Sequence, residues 1–251
     1  MTREELKEYL DFKVDQYNNP NFIETDPIQI PHQFERKEDI EIIGFLVATI
    51  AWGQRQTIIN NGNKLVKIME GQPFEFISNY QSRSHEFVHR TFNSVDLDFF
   101  FRSLKRLYSH GTGLEGAFAK HNSISGVKGR ILNFRESFLQ TEHEDRSLKH
   151  LSNPLKNSAA KRINMFLRWM VRDDKKGVDF GIWKSIDTSE LYLPLDVHTS
   201  VNARDLGLLT RKQNDWKALE ELMSNLQELD KDDPVKYDYA LFGIGAFEKE
   251  N

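Results

Sequence analysis

Apolar residues recur three and four positions apart in segment after segment of this chain, and nowhere do they alternate with polar ones for long enough to make a sheet strand. That periodicity dictates an all-α fold. It predicts a helix from Thr2 through Phe12, opened by a capping box in Thr2 and Glu5. Two helices broken near Gly53 follow, the second running through Ile58, Ile59, Leu65, Val66 and Met69. Further helices are expected over 99–108, 126–139, 157–172, 197–205, 213–227 and 233–242. The segment Asp26-Pro27-Ile28-Gln29-Ile30-Pro31-His32 carries two prolines and reads as an extended connector. Gly111 and Gly113 read as stop and turn residues after an aromatic helix, and a lone Gly-x-Gly of this kind is no nucleotide loop.

The longest apolar run, Ile42 to Trp52, is about half the length a membrane span requires and follows Glu38, Asp39 and Glu41. It is expected to be a buried core helix, with no membrane association. The opening Met1-Thr2-Arg3-Glu4-Glu5 lacks the cationic start and apolar stretch of a secretory signal, which makes the cytoplasm the default compartment. At 251 residues the chain can bury a core without disulfides, and it contains no cysteine. Cys-ligated zinc, iron–sulfur clusters and thiol nucleophiles are thereby excluded, no cofactor is expected, and catalysis would fall to Lys, Asp, Glu, His, Ser or Tyr. The formal net charge of −4 weighs mildly against nucleic acid. Its distribution is uneven: residues 156–184 hold eight Lys or Arg against three Asp, while 215–251 hold four Lys against ten acids. One basic surface on an acidic, monomeric body fits that count.

Two stretches could carry chemistry. In Ser158 to Arg172, Ile163, Phe166, Leu167 and Met170 form one apolar stripe, while Lys161, Arg168 and Arg172 share another face. From periodicity alone, a solvated face on an ordinary amphipathic helix is the better explanation. In Leu191 to Leu208, Pro194 ends a short apolar run and Asp196 precedes a periodic segment closed by Gly207, which makes Asp196 a helix N-cap. Capping alone accounts for the aspartate, although a carboxylate at a helix start can also face a cavity. Trp169 and Trp183 are expected in the core.

Leu193-Pro194-Leu195-Asp196-Val197-His198-Thr199, followed by Ala203-Arg204-Asp205-Leu206-Gly207-Leu208, resembles the pattern around the catalytic aspartate of helix-hairpin-helix DNA glycosylases. In that superfamily the aspartate follows a helix begun by the catalytic lysine, and Lys161 stands in the matching place. Leu46 to Thr57 resembles the glycosylase turn whose polar side chain fills the gap left by a flipped base, which assigns that role to Gln54. The resemblance covers roughly residues 38–210 and is nearest the archaeal 8-oxoguanine branch, because Asp173–Ser189 lengthens the interval from Lys161 to Asp196. It departs from the pattern where the family's leucine-proline-glycine-x-glycine hairpin is replaced by the glycine-free Pro154-Leu155-Lys156-Asn157-Ser158. The chain as a whole also looks like a bacterial family of conserved hypothetical proteins.

The resemblance implies two helical lobes with a cleft between them. Residues 38–150 would form one lobe, 151–210 the hairpin-like and catalytic segment, and 1–37 with 211–251 would complete the other. It further implies excision of an oxidised purine from duplex or single-stranded DNA, with Lys161 as Schiff-base nucleophile and Asp196 as catalytic carboxylate. Gln54, Arg55, Lys156, Arg162, Arg168 and Arg172 would contact DNA, and Trp52 and His198 would line the base pocket, His198 being read from the sequence as a packed side chain rather than a metal ligand. Two alternatives stand beside it. One is a nucleic-acid-binding module that kept the fold and lost the chemistry; the other is a metal-dependent hydrolase using Asp26, His32, Asp196 and His198, whose spacings match no ligand motif.

Overall fold

A computed structural model describes residues 1–248, in two compact units: Met1–Glu24 with the chain from Pro154 onward, and Thr25–Asn153. The first unit opens with α1 (Arg3–Tyr17) and α2 (Asn21–Thr25). Thr2 and Glu5 close the expected capping box over α1, each satisfying a backbone N–H of the other.

The unit Thr25–Asn153 begins with a departure from the sequence reading. Residues 26–32 are not extended. Pro27–Gln29 and Pro31–Gln33 each form a 3₁₀ turn with proline first, where its fixed φ suits the turn and its missing N–H has no partner to lose. Asp26 caps the first turn by accepting from the Ile28 N–H at 3.0 Å. Both turns pack on α3 (Lys37–Thr49), so residues 25–37 belong with this unit and not with α1.

Helix α3 is apolar all round, and every residue from Ile40 to Thr49 is buried, as its composition demands. Gly53, at φ +106°, breaks the chain before α4 (Arg55–Ile68). Gly62 in α4 lies so close to Ile30 that a Cβ there would sit 2.9 Å from the isoleucine side chain. There follow α5 (Pro73–Ser78), a two-residue hairpin of β1 (Val88–His89) and β2 (Phe92–Asn93), α6 (Ser94–Ser109), α7 (Gly113–Ala117) and α8 (Gly126–Phe138). The short elements α5, α7 and the hairpin are too brief to leave a periodic trace.

Aromatic rings hold this unit together. Successive residues of a helix point about 100° apart, so Phe99, Phe100 and Phe101 of α6 serve three directions. Phe100 packs on Phe45, Phe92 and Phe138, Phe101 on Phe76 and Tyr80, and Phe99 on Phe138 and His143. Phe118 and Phe134 stack face to face at 4.3 Å.

In the other unit come α9 (Lys161–Val171), α10 (Val197–Asp205), α11 (Trp216–Leu229) and α12 (Tyr237–Gly243). Ile163, Phe166, Leu167 and Met170 are buried as the stripe on α9 predicts, and Trp169 and Trp183 lie in the core. Helix α1 packs along α12, where Gly243 lets Tyr17 in: a Cβ there would meet the ring at 2.2 Å. No helix among the described residues is long and apolar enough to cross a membrane.

Phe100 is fully buried with rings on several sides, so Phe100→Ala should lower the urea-unfolding free energy by about 3–5 kcal/mol. Phe12, mostly exposed on α1, is the contrast: Phe12→Ala should change it by no more than about 0.5 kcal/mol.

Candidate active site

The helix that carries Lys161 starts four residues later than the apolar pattern suggests, because the backbone before it turns the wrong way for a helix. Asn157 and Ala160 both take left-handed conformations, at φ +61° and +47°. Both are bends that glycine adopts most readily, here made without glycine. Asparagine tolerates this region best among residues with a side chain, and Asn157 is anchored there. Its amide donates to Asp215 Oδ2 at 2.8 Å, and its carbonyl accepts from the Trp216 N–H at 3.1 Å. Ala160 has no such anchor of its own side chain and carries a strain of about 1–2 kcal/mol directly before Lys161.

Asp196 caps α10 as expected, with Oδ1 accepting from the Thr199 N–H at 2.8 Å. Its other oxygen, Oδ2, stands 3.4 Å from Lys161 Nζ. The first residue of α9 and the cap of α10 are therefore paired across 35 residues of sequence. The lysine side chain is 38% exposed and the carboxylate 14%. This pair is open enough for a ligand to reach and sheltered enough for its charges to matter.

Behind the pair lies a sealed charge network that the sequence reading missed. Arg168, seven residues along α9, was expected with Arg172 on a DNA-facing surface; both are 3% exposed. Arg168 donates from Nε to Asp179 at 3.2 Å and from Nη1 to Asp238 on α12, and its guanidinium lies 4.4 Å from the Tyr239 ring centroid. Arg172 donates to Asp233, to Asp179 at 3.0 Å and to Asp174 at 3.5 Å. Neither arginine can meet a phosphate without leaving buried carboxylates uncompensated, so both are withdrawn from the DNA-contact set. Lys176 and Lys184 of the same basic stretch pair with Asp15 and Asp173, so the cations of 156–184 do not form one free basic face. The acids responsible, Asp179, Asp233 and Asp238, lie far enough along the chain that no local spacing links them to α9.

Asp238 is the second functional candidate that the sequence did not disclose. Its Oδ1 accepts from the Thr199 hydroxyl at 3.3 Å, so Thr199 touches both Asp196 and Asp238. Burial pushes the Asp238 carboxyl up to about 7, against the pull of Arg168.

The remaining candidates are dispersed. Lys156 is exposed on the turn Pro154–Lys156, and Arg162 is half-buried, its guanidinium pushed down to about 10 by burial. His198 lies edge-on to Phe242 with ring centroids 5.9 Å apart and its Cβ close over Gly245, the packed histidine expected from its setting.

In the other unit, Gln54 is exposed at the start of α4 with Arg55 half-buried beside it. Trp52 is half-exposed, stacked on His150 at 5.9 Å and met edge-on by His89 at 5.0 Å. His89 Nε2 lies 3.0 Å from the Trp52 carbonyl and Nδ1 lies 2.8 Å from Asn61. His150 Nε2 in turn is 3.3 Å from Asp96, a fully buried carboxylate that also accepts from Ser147, Arg146 and the Asn93 N–H. Burial alone would raise Asp96, but the bonds from His150, Ser147 and Asn93 outweigh it and hold the carboxyl at about 2.

A metal centre on Asp26, His32, Asp196 and His198 is not formed: Asp26 is a cap, and no group of three or more His, Asp or Glu suited to a metal occurs among the described residues. Residues 26–247 match the family described as "Protein of unknown function (DUF2400)". The chain belongs to the DUF2400 family. No curated protein and no solved structure matches it. The DUF2400 span takes in Trp52, Gln54, Lys161, Asp196 and Asp238 and leaves α1 outside.

Two outcomes are expected for the DUF2400 chain. Arg168→Ala should cost about 3–5 kcal/mol in chemical denaturation, the loss expected when a buried ion pair is broken from one side, whereas Lys156→Ala should be nearly neutral. Asp96 has a folded value below its unfolded one, so its stabilisation is full above about pH 4 and is lost as pH falls toward 2. Asp96→Asn should therefore lose most stability relative to the parent above pH 4, and the gap measured by thermal melts should narrow below it.

Proposed function

We propose that this protein is a DNA glycosylase with lyase activity, removing an oxidised purine with Lys161 as nucleophile and Asp196 as its carboxylate partner. The observation that carries the reading is the 3.4 Å approach of Lys161 Nζ to Asp196 Oδ2 at the starts of two helices, in the order and roles that the glycosylase resemblance implies.

The chemistry suits the pair. The neutral Lys161 amine attacks C1′ of the deoxyribose, and the bond from C1′ to the base breaks with its electrons going to the base, which takes up a proton. Ring opening and loss of the amine's protons leave an imine between Nζ and C1′. Removal of a C2′ proton then expels the 3′ phosphate by β-elimination, and water hydrolyses the imine to return the lysine. Asp196, ionised, stabilises positive charge on the sugar as the base departs. Its Oδ1 is committed to the Thr199 N–H, which leaves Oδ2 facing the lysine. The base must first leave the stack, at a cost of a few kcal/mol, and the resemblance assigns the vacated space to Gln54, which is exposed in its own unit.

Duplex DNA bearing 8-oxoguanine or an abasic site, incubated with the protein and borohydride, should give a covalent adduct on Lys161, because hydride converts the imine to a stable amine. Lys161→Ala should abolish the adduct, and Asp196→Asn should slow its formation by about 10²–10³-fold. Undiminished trapping in Lys161→Ala removes that lysine from the mechanism. Salt-sensitive binding with neither base release nor adduct on any lesion leaves the non-catalytic binding module in its place.

A further inference from the structure

Among the described residues, three carboxylates are sealed against the C-terminal turns of α9, and two guanidiniums, Arg168 and Arg172, are sealed with them. Asp179 receives both Arg168 and Arg172. Asp174 receives Arg172 and the N–H groups of Lys176 and Gly177, both at 2.9 Å. Asp233, at the rim, receives Arg172 twice. Among the described residues, Asp238 has the arginine already shared with Asp179 and the hydroxyl of Thr199. A buried carboxylate set with too few cations relieves itself by binding a proton, and the proton goes to the least compensated member. That member is Asp238.

We propose that Asp238 is a positioning residue for Lys161: it stands behind the Lys161–Asp196 pair as a switchable charge, silent when it holds a proton and favouring the ammonium form of the lysine when it is ionised. The assignment rests on the base-excision reading of that pair, which needs Lys161 as a free amine. Thr199 is the physical link, since its N–H holds Asp196 and its hydroxyl bonds Asp238.

The groups around Asp238 are consistent with this role. From α9 it faces Arg168 and Lys161, from the segment after α9 Asp179, and from the cap of α10 Asp196. The Lys161 and Arg168 charges favour its ionised form, and burial, Asp196 and Asp179 oppose it, leaving the carboxyl titrating at about 7. His198 of α10 is turned onto Phe242. On α1, Asp11 is paired with Lys236 and Lys13 with Glu248 of the turn after α12. The charge that Lys161 meets from beneath therefore changes as Asp238 gains or loses its proton.

The test needs no DNA. Carbon-13 NMR of aspartate-labelled protein should show one carboxyl titrating between about pH 6 and 8, far from the ordinary aspartate range, and its signal should be missing from Asp238→Asn. Competitive labelling of Lys161 by acetic anhydride, read by mass spectrometry across pH, should give a midpoint lower in Asp238→Asn by at least about half a unit. Thr199→Val should move the Asp238 titration seen by NMR upward, because an ionised Asp238 loses a donor, and Thr199→Ser should restore it. All aspartates titrating below about pH 5.5, or one Lys161 midpoint shared by the parent and Asp238→Asn, or an Asp238 titration unmoved by Thr199→Val, overturns the proposal. If Asp238→Asn fails to fold, the NMR titration of the parent and the Thr199 pair decide alone. Absent borohydride trapping with these shifts present would refute base excision while leaving the Asp238–Lys161 coupling in place, so the two failures are distinguishable.

Discussion

Arg168 is the interaction on which its unit turns. A guanidinium out of reach of water must spend every donor on the protein, and this one ties α9 to the loop carrying Asp179 and to α12 through Asp238. Asp238 in turn bonds Thr199 of α10, whose cap is Asp196. The helix bearing the lysine and the helix bearing its carboxylate are thus fixed to one buried charge. Apolar packing supplies the bulk of the stability, as the buried stripe of α9 shows, but packing alone has no preference for one rotation of α9 over a neighbouring one. A planar donor set shared between two carboxylates does.

The elements legible in the sequence were those whose cause is local. The stripe on α9, the Thr2–Glu5 box, the cap at Asp196 and the break at Gly53 all follow from residues within a few positions of each other. The Lys161–Asp196 pairing was legible only through a family resemblance, since a separation of 35 positions carries no spacing rule. What stayed hidden was set by partners distant in sequence. Arg168 and Arg172 looked solvated because seven- and four-residue intervals place cations on a helix face without saying what the face meets. Prolines 27 and 31 suggested an extended connector when they start 3₁₀ turns, because a fixed φ near −65° suits both conformations and only packing on α3 decides.

The turn before Lys161 makes its left-handed bends without glycine. Left-handed residues at Asn157 and Ala160 reproduce the bends that glycine would allow, with Asp215 and the start of α11 gripping Asn157 from outside. The strain at Ala160 is held by packing, since that residue is almost wholly buried. Strain of this kind next to a polar pair is characteristic of places where the chain has been held in position for a purpose other than stability.

The Trp52 turn has an optical consequence. Of the four tryptophans, Trp169, Trp183 and Trp216 are sealed in the unit that holds α9 and α11, and Trp52 alone is half-exposed, in the other unit, with a histidine against its face. The intrinsic emission of the protein is therefore two overlapping spectra: a blue, collisionally shielded one from the three interior indoles, and a red-shifted one from Trp52 that aqueous iodide or acrylamide can reach. The red edge of the emission band is a built-in reporter on the turn that carries Gln54, readable without any label and separable from the folding state of the unit around Lys161.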